Sequence, residues 1–167
     1  MCSSDLEAII VDLPTIRAHR LAMTTLNQQS LVIVKLRCSD GTLGIGEATS
    51  IGGLAYGEQS PESTQLAIDA YLAPLLIGQD AGNVNAAMAL LNRQVQGQSY
   101  AKSALETALL DALGQRLGLP VHALLGGAVR RSMPVLWTLA SGDSGRDVEE
   151  ALGLIEARRH RSEEHTS

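Results

Sequence analysis

From Ser30 to Ala48 the sequence alternates, breaks once at Asp40-Gly41, and alternates again. Val32, Val34, Leu36 and Cys38 fall on one side of the first run, with Lys35 and Arg37 on the other. An Asp-Gly pair between two such runs marks a hairpin, because glycine accepts the positive φ the turn requires. Upstream, Glu7 to Leu13 is short and β-branched and reads as a strand that Pro14 closes. Residues 15–27 lack a clear period and read as a polar loop. The N-terminal third is therefore expected to be a three-stranded antiparallel meander.

What packs on it has to be helical and made of small aliphatic residues, since the chain has no Phe, one Trp and three Tyr. Pro61, capped by Ser60, opens a helix that Gly78 ends. Asn83 or Asn85 caps a second helix, stopped at Gly97. From Ser99 the residues Ala101, Ala104, Leu105, Ala108, Leu109, Ala112 and Leu113 recur at three and four, a broad stripe that allows close approach. On this helix Lys102 and Glu106 stand one turn apart and are able to pair. Gly118 and Pro120 end it, and Val121 to Leu125 form one further turn. After Arg130 the texture changes. Met133 to Ala140 is almost continuously apolar, as in a strand buried on both faces of a parallel sheet. A short loop, 141–145, leads to a helix from Asp147 to Arg158. Strand, loop and helix together open an α/β region.

Composition closes several functional classes. Thirteen basic against eighteen acidic side chains give a net charge of −5. With no basic tract and few rings for stacking, no nucleic-acid partner is expected. No apolar run reaches the roughly 18 residues a membrane helix needs, so no membrane partner is expected either. Cys2 and Cys38 fit neither a disulfide scaffold nor a zinc spacing, and no signal-peptide core is present, which points to a reduced, cytoplasmic setting. The two ends read as additions. Residues 1–6 and 161–167 both back-translate to strings resembling a sequencing-library adapter, one the reverse complement of the other, and are expected to be non-native.

The run Ala101 to Gly126, Ala-Lys-Ser-Ala-Leu-Glu-Thr-Ala-Leu-Leu-Asp-Ala-Leu-Gly-Gln-Arg-Leu-Gly-Leu-Pro-Val-His-Ala-Leu-Leu-Gly, resembles the N-terminal signature of the mandelate racemase/muconate lactonizing group of the enolase superfamily. Glu7 to Arg17, Gly44 to Gly57 and Trp137 to Asp143 resemble, within that group, the bacterial muconate cycloisomerases. The resemblance covers residues 7–160. It implies an α+β fold: a capping domain over 7–130, with the meander and a helical bundle. A truncated (β/α) barrel then begins over 131–160, with its first strand at 132–139. It implies an intramolecular lyase/isomerase that lactonises cis,cis-muconate, a small-molecule dicarboxylate, and a likeness to homo-oligomers when full length. The cofactor it implies is Mn or Mg, holding down an enolate-like state while a barrel lysine moves the proton. The metal-binding carboxylates and the Lys-x-Lys pair belong to later barrel strands, so no catalytic residue and no metal ligand is assigned here. A full barrel takes about 250 residues; the fragment is expected to be inactive. Chloromuconate cycloisomerase, dipeptide epimerase and succinylbenzoate synthase are the alternatives within the superfamily. A non-catalytic, stand-alone module is the alternative outside it, although an uncovered strand at 132–139 would invite aggregation.

The resemblance also implies three substrate-binding residues: Ile51 and Tyr56 in the glycine-rich loop 51–57, which closes over the barrel mouth, and His19 in the loop after the first strand. Without it, the loop is an ordinary surface turn and His19 a solvated side chain. A phosphate cradle is excluded because no Gly-Lys-Ser/Thr follows the glycines. Glu106 and Asp111, five residues apart on a helix, diverge by roughly 140° and cannot meet on one atom; structural pairing suits them better. Cys38 faces the core, and Thr138 and Ser141 lie toward the C-terminal end of the barrel strand, where active sites of this architecture gather. The adapter origin of the ends is tested by the coding DNA: it predicts mutually reverse-complementary adapter codons at both termini, and any other codons there refute it.

Overall fold

The computed structural model describes residues 3–134, 136–139 and 141–164, with side chains through 157. Met1, Cys2, Val135, Ala140 and residues 165–167, on which parts of the expected ends and barrel strand fall, lie outside the described residues. Strands β1 (Ser3–Arg20), β2 (Thr25–Cys38) and β3 (Leu43–Thr49) form one sheet in the order β1-β2-β3. The β2–β3 pair is antiparallel, with Val32 opposite Ala48, Val34 opposite Gly46 and Leu36 opposite Gly44. The four residues between β1 and β2 permit only an antiparallel return. The expected meander is therefore present.

Its first hairpin is longer than expected. Pro14 does not end β1, because β1 is an edge strand and a missing N–H there can face outward. Residues 15–27 are not a loop either: β1 runs on to Arg20 and β2 starts at Thr25, with Leu21 N bonded to the Thr24 carbonyl at 2.8 Å. Exposure does alternate here, but the inner positions are Thr15, Arg17 and His19, while Ile16 is 88% exposed. A hydrophobicity pattern cannot register an alternation written in polar side chains. The head takes part in the same strand. Residues 3–6 belong to β1, and Ser3 is buried, its N–H bonded to the Gln79 carbonyl at 3.0 Å and its hydroxyl to that of Leu76.

The helices are α1 (Pro61–Ala67), α2 (Ala73–Leu76), α3 (Val84–Gln94), α4 (Ser99–Leu117), α5 (Val121–Leu124) and α6 (Ser144–Glu164). Ser60 and Ser63 cap α1 reciprocally, and Asn83 caps α3 by accepting from Ala86 N at 3.1 Å. A π-turn over Ile68–Leu72 joins α1 to α2 ahead of Pro74, which cannot donate to the preceding turn. Gly118 ends α4 in the left-handed conformation, φ +64°, and Leu119 N bonds the Gly114 carbonyl at 2.9 Å.

The core lies between the sheet and α4. Val32, Val34, Leu36 and Cys38 are buried as their alternation implies, and burial together with the Asp40 charge pushes the Cys38 thiol pKa up. The closest contact is β3 on α4. A Cβ on Gly46 would fall on the carbonyl oxygen of Ala104, and one on Gly44 on that of Ala108. Side chains of α4 then reach the outer edge of β3: Asp111 accepts from Ile45 N at 2.8 Å, and Gln115 donates to the Leu43 carbonyl at 2.8 Å. These bonds occupy an edge that would otherwise stay open. Lys102 is buried and donates to the Val95 carbonyl at 2.6 Å, in place of the expected pairing with Glu106.

The chain divides into two compact units. One joins residues up to Leu13 with Gln28–Arg131, and the other joins Pro14–Asn27 with residues from Ser132 onward. The hairpin tip, Pro14–Asn27, groups with the second unit. In that unit residues 132–134 and 136–139 form no strand. A parallel barrel strand gains its ladder from neighbouring strands, and no strand pairs with this segment among the described residues. Helix α6 begins at Ser144, earlier than the expected Asp147, because Asp143 Oδ1 accepts from Gly145 N at 2.8 Å and Arg146 N at 3.2 Å. Its backbone continues through 161–164, part of the expected non-native tail. Gly46→Ala should lower stability by about 3 kcal/mol, at the top of the usual overpacking range, because the obstructing atom is backbone; a urea unfolding midpoint reads the loss, and a wild-type midpoint would contradict the close contact.

Candidate functional site

In the first unit the candidate loop leaves β3 at Ser50, whose carbonyl accepts from Gln29 Nε2 at 2.9 Å. Gly52 and Gly53 are both left-handed, φ +62° and +59°, a pairing that side chains resist. They let a 3₁₀ turn, Gly53–Ala55, form at once, and the turn leaves Ile51, Leu54 and Tyr56 exposed. Gln59 anchors the far end. It is buried, donates to Gln98 Oε1, and accepts from Tyr100 N at 3.0 Å, joining the loop to the start of α4. Gln98 is left-handed, φ 55°. The result is a cavity of about 460 Å³ bounded by Tyr56, Gln59, Gln98 and Tyr100. Ile51 and Tyr56 thus share one presented loop, with apolar surface and a phenol hydroxyl. Gln59 escapes sequence reasoning because nothing in the local pattern distinguishes it from its polar neighbours.

In the second unit His19 lines a cavity of about 300 Å³ with Thr15, Arg17, Leu26, Trp137 and Thr138. Residues two apart on a strand share a face, which brings Thr15, Arg17 and His19 together. Arg17 donates to Glu150 through one terminal nitrogen and to the Thr138 carbonyl, at 3.1 Å, through the other. Trp137 Nε1 donates to Glu150 Oε1 at 2.8 Å. These donors hold the Glu150 carboxyl below its ordinary pKa, the indole bond first and Arg17 second. Asp147 is lowered in the same direction by its hydrogen bonds to Ser141, whose N–H it accepts at 3.1 Å. Of the two strand-end residues, Thr138 lines the cavity, whereas Ser141 is committed to the loop: its hydroxyl accepts from Asp143 N at 3.1 Å. That Arg17 and Trp137 meet at Glu150 carries no signal in the sequence, since a strand polar residue, a lone Trp and a helix glutamate give no hint of their pairing.

Glu106 and Asp111 form no acid–base pair; Asp111 serves the β3 edge. Among the described residues no three His, Cys, Asp or Glu side chains are grouped so as to hold a metal ion. Nor is any described helix long and apolar enough to cross a membrane.

Residues 5–126 match the family described as mandelate racemase / muconate lactonizing enzyme, N-terminal domain. The chain belongs to that family. It is 61% identical over 158 residues to muconate cycloisomerase 1 of Pseudomonas putida, covering 93% of this chain and 42% of the relative. It is 49% identical over 151 residues to a chloromuconate cycloisomerase of Cupriavidus necator, covering 90% and 40%. Among solved structures it superposes on the muconate lactonizing enzyme of Pseudomonas fluorescens complexed with muconolactone, at TM-score 0.91 and 57% identity, covering 93% and 42%. The chain thus spans about two fifths of the length of these relatives, and the α+β arrangement described above is that of the family's N-terminal part.

The two lowered carboxyls of α6 set a pH dependence. Their pKa values lie lower folded than unfolded, so the unfolded chain binds more protons on acidification. The stabilisation is complete above the ordinary carboxylate range and is lost as pH falls through the lowered values. Fluorescence of Trp137, the one tryptophan of the chain, should show this acid transition, and Glu150→Gln should remove its Glu150 component; an unaltered transition in the variant contradicts the assignment.

Proposed function

We propose that this chain is the capping part and first barrel unit of a muconate cycloisomerase, lactonising cis,cis-muconate in aromatic catabolism, and that the 167-residue chain alone is inactive. The observation that carries the reading is the degree of similarity to a muconate cycloisomerase, greater than to a chloromuconate cycloisomerase, over nearly the whole chain. In this reading Ile51 and Tyr56 form a wall over the bound dicarboxylate, excluding water on one side and offering a hydroxyl donor. His19 offers a second donor to a carboxylate. These residues bind and orient, and they move no proton to or from carbon.

Among the described residues no group of acids or imidazoles is placed to hold the implied Mn or Mg. Those ligands and the proton-moving lysine belong to the remaining three fifths of the relatives' length. The domain limits follow: 7–130 capping, 131–160 the start of the barrel, with 1–6 and 161–167 additions. Homo-oligomeric assembly of the full-length protein and a cytoplasmic location belong to the same reading.

The natural gene read beyond codon 160 should encode a Lys-x-Lys strand and then strands ending in acids, and its full-length product should convert cis,cis-muconate with Mn. Turnover by the 167-residue chain alone overturns the inactive-fragment reading. Preference of the full-length product for a chlorinated muconate transfers it to the alternative substrate.

A further inference from the structure

We propose that Glu150 is a positioning residue, whose carboxylate fastens the hairpin tip carrying His19 to the segment 136–139. It rests on the reading of His19 as a substrate contact. The two oxygens take different donors: Oε1 the indole N–H of Trp137, and Oε2 the guanidinium of Arg17. Arg17 in turn spans to the Thr138 carbonyl at 3.1 Å. One carboxylate therefore joins three stretches of backbone: the tip of β1, the 136–139 segment and α6.

This is more than an ordinary surface ion pair. The Arg17 and Glu150 side chains are only 29% and 24% exposed, so both charges are partly desolvated and screened less than in open water. Hydrogen bonds to an ionised acceptor are also about twice as strong as neutral ones. Among the described residues no strand ladder secures 132–134 or 136–139, so in the 167-residue chain these bonds are what ties the segment. The tip needs them as well: Ile16 is 88% exposed, and Thr15, Arg17 and His19 supply little apolar burial. Without the carboxylate, the indole N–H loses its acceptor and Arg17 keeps one carbonyl. His19, two residues along the same face, would lose its place in the cavity it lines with Thr138.

Hydrogen exchange on the 167-residue chain tests the tie directly. In Glu150→Ala the amides of 15–20 and 25–27 should exchange about tenfold faster, the scale of one lost charge-assisted bond, with those of 28–131 unchanged. Glu150→Gln keeps one acceptor oxygen and should fall between. Trp137→Phe, which removes a single bond while keeping an aromatic ring, should accelerate the tip less and guards against misfolding of the alanine variant. In the full-length enzyme Glu150→Ala should raise KM several-fold with a smaller change in kcat, partly rescued by Glu150→Gln. Unchanged tip exchange in both Glu150→Ala and Trp137→Phe overturns the inference. Acceleration spread through 28–131 also overturns it, since the residue would then support folding at large. A loosened tip with an unchanged KM leaves the positioning role standing and removes His19 from the substrate site.

Discussion

The first unit depends on the contact between β3 and α4. A strand and a helix normally meet through side chains; here Gly44 and Gly46 lay bare backbone against the carbonyls of Ala104 and Ala108. That closeness sets the rest. It leaves Val34 and Leu36, cross-strand partners of those glycines, to fill the space beside the helix with aliphatic bulk. It brings Asp111 and Gln115 within reach of the β3 edge, so polar groups of the strand that water would otherwise satisfy are bonded by the helix. A core without Phe becomes feasible because small residues let the two backbones approach instead of large rings filling a gap.

Rigidity at that contact has a consequence for the loop that follows β3. The loop starts from a fixed strand end and is tied again at Gln59, whose two bonds end on Gln98 and Tyr100 at the start of the same helix. Between those anchors the paired left-handed glycines reverse the chain and leave Ile51 and Tyr56 presented to solvent. Apolar side chains exposed on an anchored loop suit a wall awaiting a ligand better than a packing defect. In the proposed reading these residues shape and enclose, and the groups that do chemistry on the substrate belong to later barrel strands.

The second unit is held by a different physics. Helix α6 is capped by Asp143 and steadied by Asp147, and the hairpin tip meets it through Arg17, Glu150 and Trp137. Charge-assisted bonds replace apolar burial here, while Leu136, Val148, Leu152 and Ile155 remain exposed. Such a unit is sensitive to pH and to single side chains in a way that the alanine-lined core is not.

Local chemistry was enough to read the meander, the cap at Ser60, the stop at Gly118 and the buried face of β2, because each rests on turn geometry, capping or periodicity within a few residues. It was enough for the family too, since a long run of small, acidic and Leu-Leu-Gly residues is a pattern in one dimension. The hairpin tip was beyond it: Thr15, Arg17 and His19 alternate in space but not in hydrophobicity. So was the role of Ser3, which depends on bonds to residues more than seventy positions away. The segment 132–139 shows the limit from the other direction. Its composition is that of a buried strand, yet a strand exists only through its neighbours. The Arg17–Glu150–Trp137 network joins residues up to 133 positions apart, and long-range geometry of that kind arises only when the folded backbone brings them together.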